Sequence, residues 1–131
     1  YYDGCVEIDL SEIKPMIDQV EHTPLMYDEK LISFCKENNI QIMSWGPLLR
    51  GNLENKKMEE IAEKYNKTTA QLLLRWNIQQ GIIPIPKSKN EQRLQQNIDV
   101  FDFEITKEDM EELNHMNENH RTSFDPLTFD F

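Results

Sequence analysis

Residues 82–97 read IIPIPKSKNEQRLQQN, a short apolar run that gives way to lysine and serine and then to a polar helical segment. This change is typical of a strand followed by a helix in an α/β fold. At such a junction the backbone N–H groups that open the helix and the nearby cationic side chains surround one point, which favours phosphate. The stretch therefore predicts a βα unit with a phosphate site at its junction.

The helix of this unit carries the predicted phosphate ligands. Ser88 and Glu91 fit the S-x-x-E capping pattern, so we expect the helix to begin close to Ser88 and to end near Asn97. Lys87 offers a point charge, whereas Arg93 offers a planar guanidinium that can bind phosphate or stack on a base. A merely solvated helix start is the alternative. Spacings of three and four residues place Arg93, Gln96 and Asn97 on one helix face.

Composition narrows the class of protein. The 131 residues include 38% hydrophobic residues, which suffice for the core of one ordinary domain. Lys and Arg number 14 against 24 Asp and Glu, and the resulting net charge of −10 disfavours binding to nucleic acid or to an anionic membrane. Lys87, Lys89 and Arg93 therefore form a local basic cluster in an acidic chain.

Cysteine usage and hydropathy favour a cytoplasmic location. Cys5 and Cys35 show no metal-ligand spacing and are too few for a disulfide framework. Cys35 lies on an apolar helical stripe, so we expect it in the core. No run approaches the roughly 20 apolar residues of a membrane span, and no signal-peptide pattern opens the chain. We therefore expect neither a membrane span nor a metal site.

The rest of the chain alternates strands and helices. Apolar runs at 15–20 and 40–45 predict two further strands. The prolines within 82–86 mean that the third strand either lies at an edge or has its prolines at non-bonded positions. Residues 1–14 fit a strand or a helix turn equally well. A sheet of three parallel strands has two free edges, so the chain looks like part of something larger.

A helix is predicted from Asp28, with Leu31, Phe34 and Cys35 buried and a left-handed stop at Asn38-Asn39. A second is predicted over 58–65 and closes near Asn66, and a third over 68–80 opens with a T-x-x-Q capping pattern at Thr68 and Gln71. The last helix is predicted from Thr106, with Met110, Leu113 and Met116 inward.

Three features near strand ends have two interpretations each. Gln19 is a candidate ligand contact or a strand-end amide bonded to the next loop. Trp45 either stacks on a planar ligand ring or packs in the core. The tail, 117–131, contains three phenylalanines that cover a pocket or pack on the body. The histidines lack partners at ligand spacing, so His22 is expected to be structural and His115 and His120 to lie on the surface.

Several motifs follow one another along the chain: Gln19-Val20-Glu21, Ser44-Trp45-Gly46-Pro47-Leu48, Ala70-Gln71-Leu72-x-x-Arg75-Trp76, Ile85-Pro86-Lys87-Ser88, Arg93, Asn97 and Asp99-Val100-Phe101-Asp102-Phe103. Their order resembles the C-terminal half of the aldo-keto reductases. The resemblance covers about Pro15 to Met116 and implies a TIM-type (β/α)₈ barrel, of which the chain would hold about strands six to eight and an extra C-terminal helix. On this view residues 1–131 are one C-terminal part of an incomplete barrel, and 117–131 are its tail.

The resemblance also implies a role for single residues around NADP(H). Gln19 would hold the nicotinamide carboxamide, and Trp45 would stack on the nicotinamide ring where the family often has tyrosine. Gly46 and Leu48 would approach the pyrophosphate through their backbone. At the other end, the 2′-phosphate would be bound by Lys87, Ser88 and Arg93, and the adenine would be faced by Gln96 and Asn97.

The family transfers hydride between NADPH and a carbonyl group, and its catalytic Asp, Tyr, Lys and His belong to its N-terminal half, ahead of Tyr1. We therefore expect this chain to supply the NADP(H)-binding half of an oxidoreductase that reduces aldehydes or ketones to alcohols, with no catalytic residue of its own. The alternative is a non-catalytic NADP(H)-binding or regulatory fragment, similar to the potassium-channel β-subunits. Exposed sheet edges favour self-association or pairing with a separate N-terminal half in either case.

Overall fold

Three parallel strands form the centre of the computed structural model, in which residues 15–123, 125 and 128 are described. The strands are β1 (Ile17–Glu21), β2 (Gln41–Trp45) and β3 (Ile83–Ile85), and they lie side by side in chain order. Parallel pairing of successive strands confirms the predicted βα alternation. The conformation of 1–14, the environment of Cys5 and the positions of the tail phenylalanines lie outside the described residues.

The described part of the chain also contains five α-helices, of which the first and the third in chain order contact the sheet. Each helix begins after a polar residue whose side chain accepts a hydrogen bond from a first-turn N–H group. Thr68 and Gln71 form the complete capping box that the sequence predicts. The helices are α1 (Glu29–Glu37), α2 (Lys56–Lys64), α3 (Thr69–Gln79), α4 (Glu91–Ile98) and α5 (Lys107–Asn114), and a 3-10 turn spans Leu49–Gly51.

The start of α4 differs from the prediction. Asn90, rather than Ser88, caps the helix, because its side-chain oxygen accepts the N–H of Arg93 at 3.0 Å. The hydroxyl of Ser88 instead accepts the N–H of Asn90 at 3.1 Å and shapes the turn that leads into the helix. Two potential caps lie two residues apart, and the asparagine, which is closer to the helix, makes the capping bond.

The core consists of two clusters. Helix α1 packs on the sheet through Cys35, which contacts the buried Ile42 and Ile82. The burial of Cys35 confirms the prediction, whereas Phe34 is 57% exposed, and its predicted burial was wrong. The sheet meets α1 along the side of Leu31, Ile32 and Cys35 only, so Phe34 falls outside the contact. The larger cluster joins α2, α3 and α5 and comprises Leu49, Met58, Ile61, Ala62, Leu72, Leu73, Trp76, Ile105 and Leu113.

The two faces of the sheet have different neighbours. Val20 and Ile42 point towards α1, so side chains at alternating positions point to the opposite face. That opposite face carries Gln19, Trp45 and three exposed isoleucines, Ile17, Ile83 and Ile85. Strand β3 lies at the edge of the described sheet, which is one of the two placements that its prolines predict. Within residues 15–123, no helix is both long enough and apolar enough to cross a membrane.

Candidate functional site

The carboxyl ends of the three strands lie level with one another. Glu21 is the register partner of Trp45, and Trp45 is the register partner of Ile85. The loops that follow β2 and β3 therefore leave the sheet at the same edge, which is where ligands bind in parallel α/β folds. This edge brings together five of the predicted site residues, Trp45, Gly46, Leu48, Lys87 and Ser88.

Trp45 presents part of its ring at this edge. It is half-buried, and the guanidinium of Arg50 lies 5.8 Å from its ring centroid. The other tryptophan, Trp76, has no exposed surface and belongs to the larger core cluster. Core packing therefore accounts for Trp76, whereas Trp45 keeps a surface that can contact a planar ligand. The contact between Arg50 and Trp45 was not predicted.

The backbone between Trp45 and the 3-10 turn has an unusual conformation. The φ angles of Gly46, Leu49, Arg50 and Gly51 are +62°, +50°, +53° and +94°. Left-handed conformations at leucine and arginine are uncommon, and such backbone strain concentrates at ligand-binding sites. Among the described residues, the N–H groups of Leu48 and Arg50 have no acceptor. The loop therefore offers free backbone donors where the sequence predicts contact with a pyrophosphate.

The junction between β3 and α4 combines cations with free N–H groups. Lys87, Lys89 and Arg93 are exposed, and none of them forms an ion pair with another described residue. Within the same part of the chain, the N–H groups of Glu91 and Gln92 have no acceptor. An anionic group at this helix start would meet both the helix dipole and the basic cluster. The junction thus has the donors that a phosphate requires.

Of the three amide side chains of the predicted site, Gln96 and Asn97 are neighbours on α4, whereas Gln19 lies apart from them on β1. Gln19 is exposed on β1, and its amide forms no hydrogen bond to any described residue, so the strand-end interpretation finds no support. Gln96 is exposed on α4. Asn97 is half-buried and lines an apolar groove of about 500 Å³ between α3, β3 and α4. Strand β2 separates Gln19 from the strand that leads into α4.

His22 is structural, as predicted. Its ring stacks on Trp76 with a centroid distance of 4.6 Å, and its carbonyl accepts the hydroxyl of Ser44 at 2.8 Å. Burial lowers its pKa to about 4, so the ring is neutral near pH 7. His115 and His120 are exposed, also as predicted. Groups of three or more His, Cys, Asp or Glu that could hold a metal are absent from residues 15–123.

Sequence reasoning assigned no role to Glu21, although it belongs to one of the motifs. Its carboxylate accepts the N–H of Thr122 at 2.8 Å and also the Thr122 hydroxyl. The part of the tail up to residue 123 therefore contacts the end of β1, whereas the two interpretations of the tail concern phenylalanines outside the described residues. An acidic residue at the end of a strand was the available signal, but its partner is 101 positions away.

Comparisons with known proteins agree with this geometry. The Aldo/keto reductase family model matches residues 6–118. The chain is 48% identical over 122 residues to the uncharacterized oxidoreductase YtbE of Bacillus subtilis, covering 92% of this chain and 44% of that protein. It is 44% identical over 117 residues to the glyoxal reductase of the same organism, covering 88% and 42%.

Solved structures show the same fold. A mutant of Gox0644 in complex with NADPH superimposes with a TM-score of 0.85 and 38% identity, covering 91% of this chain and 45% of that one. The Bombyx mori aldo-keto reductase AKR2E4 in complex with NADP gives a TM-score of 0.77 and 39% identity, covering 86% and 40%. The chain thus spans less than half the length of these relatives, and its βα units form part of a larger barrel, as predicted.

Proposed function

The chain belongs to the aldo/keto reductase family, and from this membership we propose that it binds NADP(H) as part of an oxidoreductase that reduces aldehydes or ketones to alcohols. The glyoxal reductase among its relatives is named for a carbonyl substrate, and two of the matching structures hold NADPH or NADP. Because the chain spans less than half of these proteins, the proposal concerns the cofactor-binding part of that activity.

One observation carries the proposal. The register of the three strands brings the strained loop after Trp45 and the basic junction before α4 to the same sheet edge. The loop offers the free N–H groups of Leu48 and Arg50, and the junction offers those of Glu91 and Gln92. Two separate sets of anion donors on one edge suit a dinucleotide with an additional phosphate.

The residues at the nicotinamide end contribute binding and orientation. Trp45 offers its ring for stacking, and Gln19 lies on the same sheet face with its amide free to bind a carboxamide. Gly46 carries no side chain, so its backbone can approach a pyrophosphate closely. When bound, NADPH supplies the hydride for carbonyl reduction. The proposal assigns no proton donor to this chain.

The residues at the adenine end give the preference for NADP(H) over NAD(H). Lys87 and Arg93 supply positive charge in a chain with a net charge of −10, and Ser88 adds a hydroxyl donor. These three side chains contact the 2′-phosphate in our proposal, because only that group distinguishes the two cofactors. Gln96 and Asn97 lie further along the same helix and contact the adenine.

Titration of the chain with NADPH and with NADH tests this assignment. Tryptophan fluorescence reports the binding of each cofactor. We expect tighter binding of NADPH, and we expect Lys87→Ala and Arg93→Ala each to weaken NADPH binding roughly tenfold while leaving NADH binding unchanged. Lys107→Ala is the matched control, because Lys107 is an exposed lysine on α5. Equal loss of NADPH affinity in all three variants would reject the site. Consumption of NADPH after addition of an aldehyde separates an active chain from a non-catalytic binding fragment.

A further inference from the structure

A buried carboxylate ends β1 and forms no ion pair within the described residues. Glu21 is 7% exposed, and in the described part of the chain its Oε2 atom has no hydrogen-bond partner. Burying a carboxylate without a cation costs free energy, which the hydrogen bonds that Glu21 does form have to offset. The site proposed above does not use this group.

The other carboxylate oxygen of Glu21 holds the segment that follows α5. Oε1 accepts both the N–H and the hydroxyl of Thr122. The preceding residues follow the loop between β1 and α1, so residues 117–122 form a strap along the site edge. Three further hydrogen bonds hold this strap: from the N–H of Tyr27 to Asn117 Oδ1 at 3.1 Å, and from the N–H groups of Glu118 and His120 to the Leu25 carbonyl at 3.1 and 2.9 Å.

The strap ends beside the loop that carries the free backbone donors. A Cβ atom built on Gly46 would lie 3.9 Å from Thr122 Oγ1, which is van der Waals contact distance. Gly46 directly follows Trp45, the register partner of Glu21. Thr122 therefore lies between Glu21, to which it is hydrogen-bonded, and the open side of Gly46, at the carboxyl ends of β1 and β2.

We propose that Glu21 is a positioning residue, which holds Thr122 beside the open side of Gly46 and so makes the strap a fixed wall of the nucleotide site. Because the strap is already held in place, less ordering remains to be done when a ligand binds. This inference rests on the proposed function for its effect on NADPH, but the contact between Glu21 and the strap stands independently of any ligand.

Hydrogen exchange of the chain without ligand tests the positioning. Glu21→Ala removes the acceptor, and Thr122→Val removes one donor while leaving Glu21 in place, which guards against a folding defect in the first variant. We expect amide exchange at residues 118–122 to rise about tenfold or more in Glu21→Ala and less in Thr122→Val, with core amides such as that of Leu73 unchanged. Thr122→Ser keeps both donors and should restore wild-type exchange. Unchanged strap exchange in both disruptive variants would overturn the proposal.

Binding of NADPH tests the link to the site. We expect Thr122→Val to weaken NADPH binding several-fold and Thr122→Ser to bind NADPH like the wild type, whereas a strap with no role at the site would leave the NADPH affinity unchanged in both variants. A strap that opens without any change in NADPH affinity would overturn the link between Glu21 and the site. If the wild-type chain fails to bind NADPH, the proposed function fails, and the exchange data still decide whether Glu21 positions the strap.

Discussion

The imidazole of His22 stacks on the indole of Trp76 with ring planes only 11° apart. Tyr27 packs against both rings at centroid distances of 5.8 and 5.9 Å, so the imidazole is held in an aromatic environment. Trp76 in turn donates its Nε1–H to Asn114 Oδ1 at 2.9 Å, which connects α3 to α5. The His22–Trp76 pair therefore connects the end of β1 to the larger core cluster. The stability of this stack depends on a neutral imidazole.

This stack predicts a loss of stability in acid. The pKa of His22 is lowered by burial from 6.5 to about 4 in the folded chain, so the unfolded chain binds this proton more readily. The contribution of neutral His22 to the free energy of unfolding is fully present above pH 6.5. It declines as the pH falls from 6.5 towards 4, by up to about 3 kcal/mol. Denaturant unfolding of wild type and His22→Phe across this range measures the effect. Parallel pH profiles of the two proteins would contradict it.

A second acid-dependent contribution comes from Asp109. Burial raises the pKa of this carboxyl, but hydrogen bonds from Lys64 and Tyr65 outweigh burial and hold the pKa below its usual value. Its stabilisation is present above the unfolded pKa of 3.8 and is lost as the pH falls through the folded pKa. We expect Asp109→Asn to lower the free energy of unfolding at neutral pH by about 1–3 kcal/mol and to flatten the loss below pH 4.

Tyr65→Phe provides the control for that prediction. It removes the hydrogen bond to Asp109 and the acceptor of the Thr106 N–H at 3.0 Å, but leaves the ion pair of Asp109 with Lys64 intact at 2.6 Å. Its effect at neutral pH should therefore be smaller than that of Asp109→Asn. Equal destabilisation by the two substitutions would mean that the tyrosine, and not the charge pair, stabilises this junction between α2 and α5.

Lys67 joins two turns that are distant in sequence. Its ammonium donates to Asp99 at 3.0 Å and to Asp102 at 2.7 Å, and the side chain is 11% exposed. We expect Lys67→Met to lower Tm, because the two carboxylates lose their shared cation. Lys56→Met is the matched control, since Lys56 is 90% exposed and reaches Glu60 at 3.8 Å. Calorimetry that shows the same Tm for both variants would contradict the prediction.

Local sequence patterns predicted the elements of this fold well. The capping box at Thr68 and Gln71, the left-handed residues Asn39 and Asn66 that end helices, and the parallel strand order all follow from short motifs. The burial of Phe34 was predicted wrongly, because a helical stripe does not specify which part of its arc meets the sheet.

The candidate site was predictable only in part. The basic cluster around Lys87 and Arg93 is local in sequence, and so is the placement of Trp45 at a strand end. The contact between Glu21 and Thr122 joins residues 101 positions apart, and no local pattern encodes such a pair. The contact of Arg50 with Trp45 depends on positive φ angles at non-glycine residues, which composition does not reveal.

That last contact gives a prediction about the open face of Trp45. A cation above a partly exposed tryptophan ring contributes about 0.5–1 kcal/mol and shields the ring from solvent. We expect Arg50→Ala to increase quenching of Trp45 fluorescence by acrylamide, whereas Arg50→Lys keeps a cation over the ring and should change quenching less. Trp76 has no exposed surface, so it contributes a constant background.

Because Trp45 lies beside the proposed cofactor loop, NADPH should protect it in wild type and in Arg50→Ala alike. If NADPH protects Trp45 in neither protein, the nicotinamide binds elsewhere. If acrylamide quenching is the same in wild type and Arg50→Ala, the guanidinium does not cover the ring in solution.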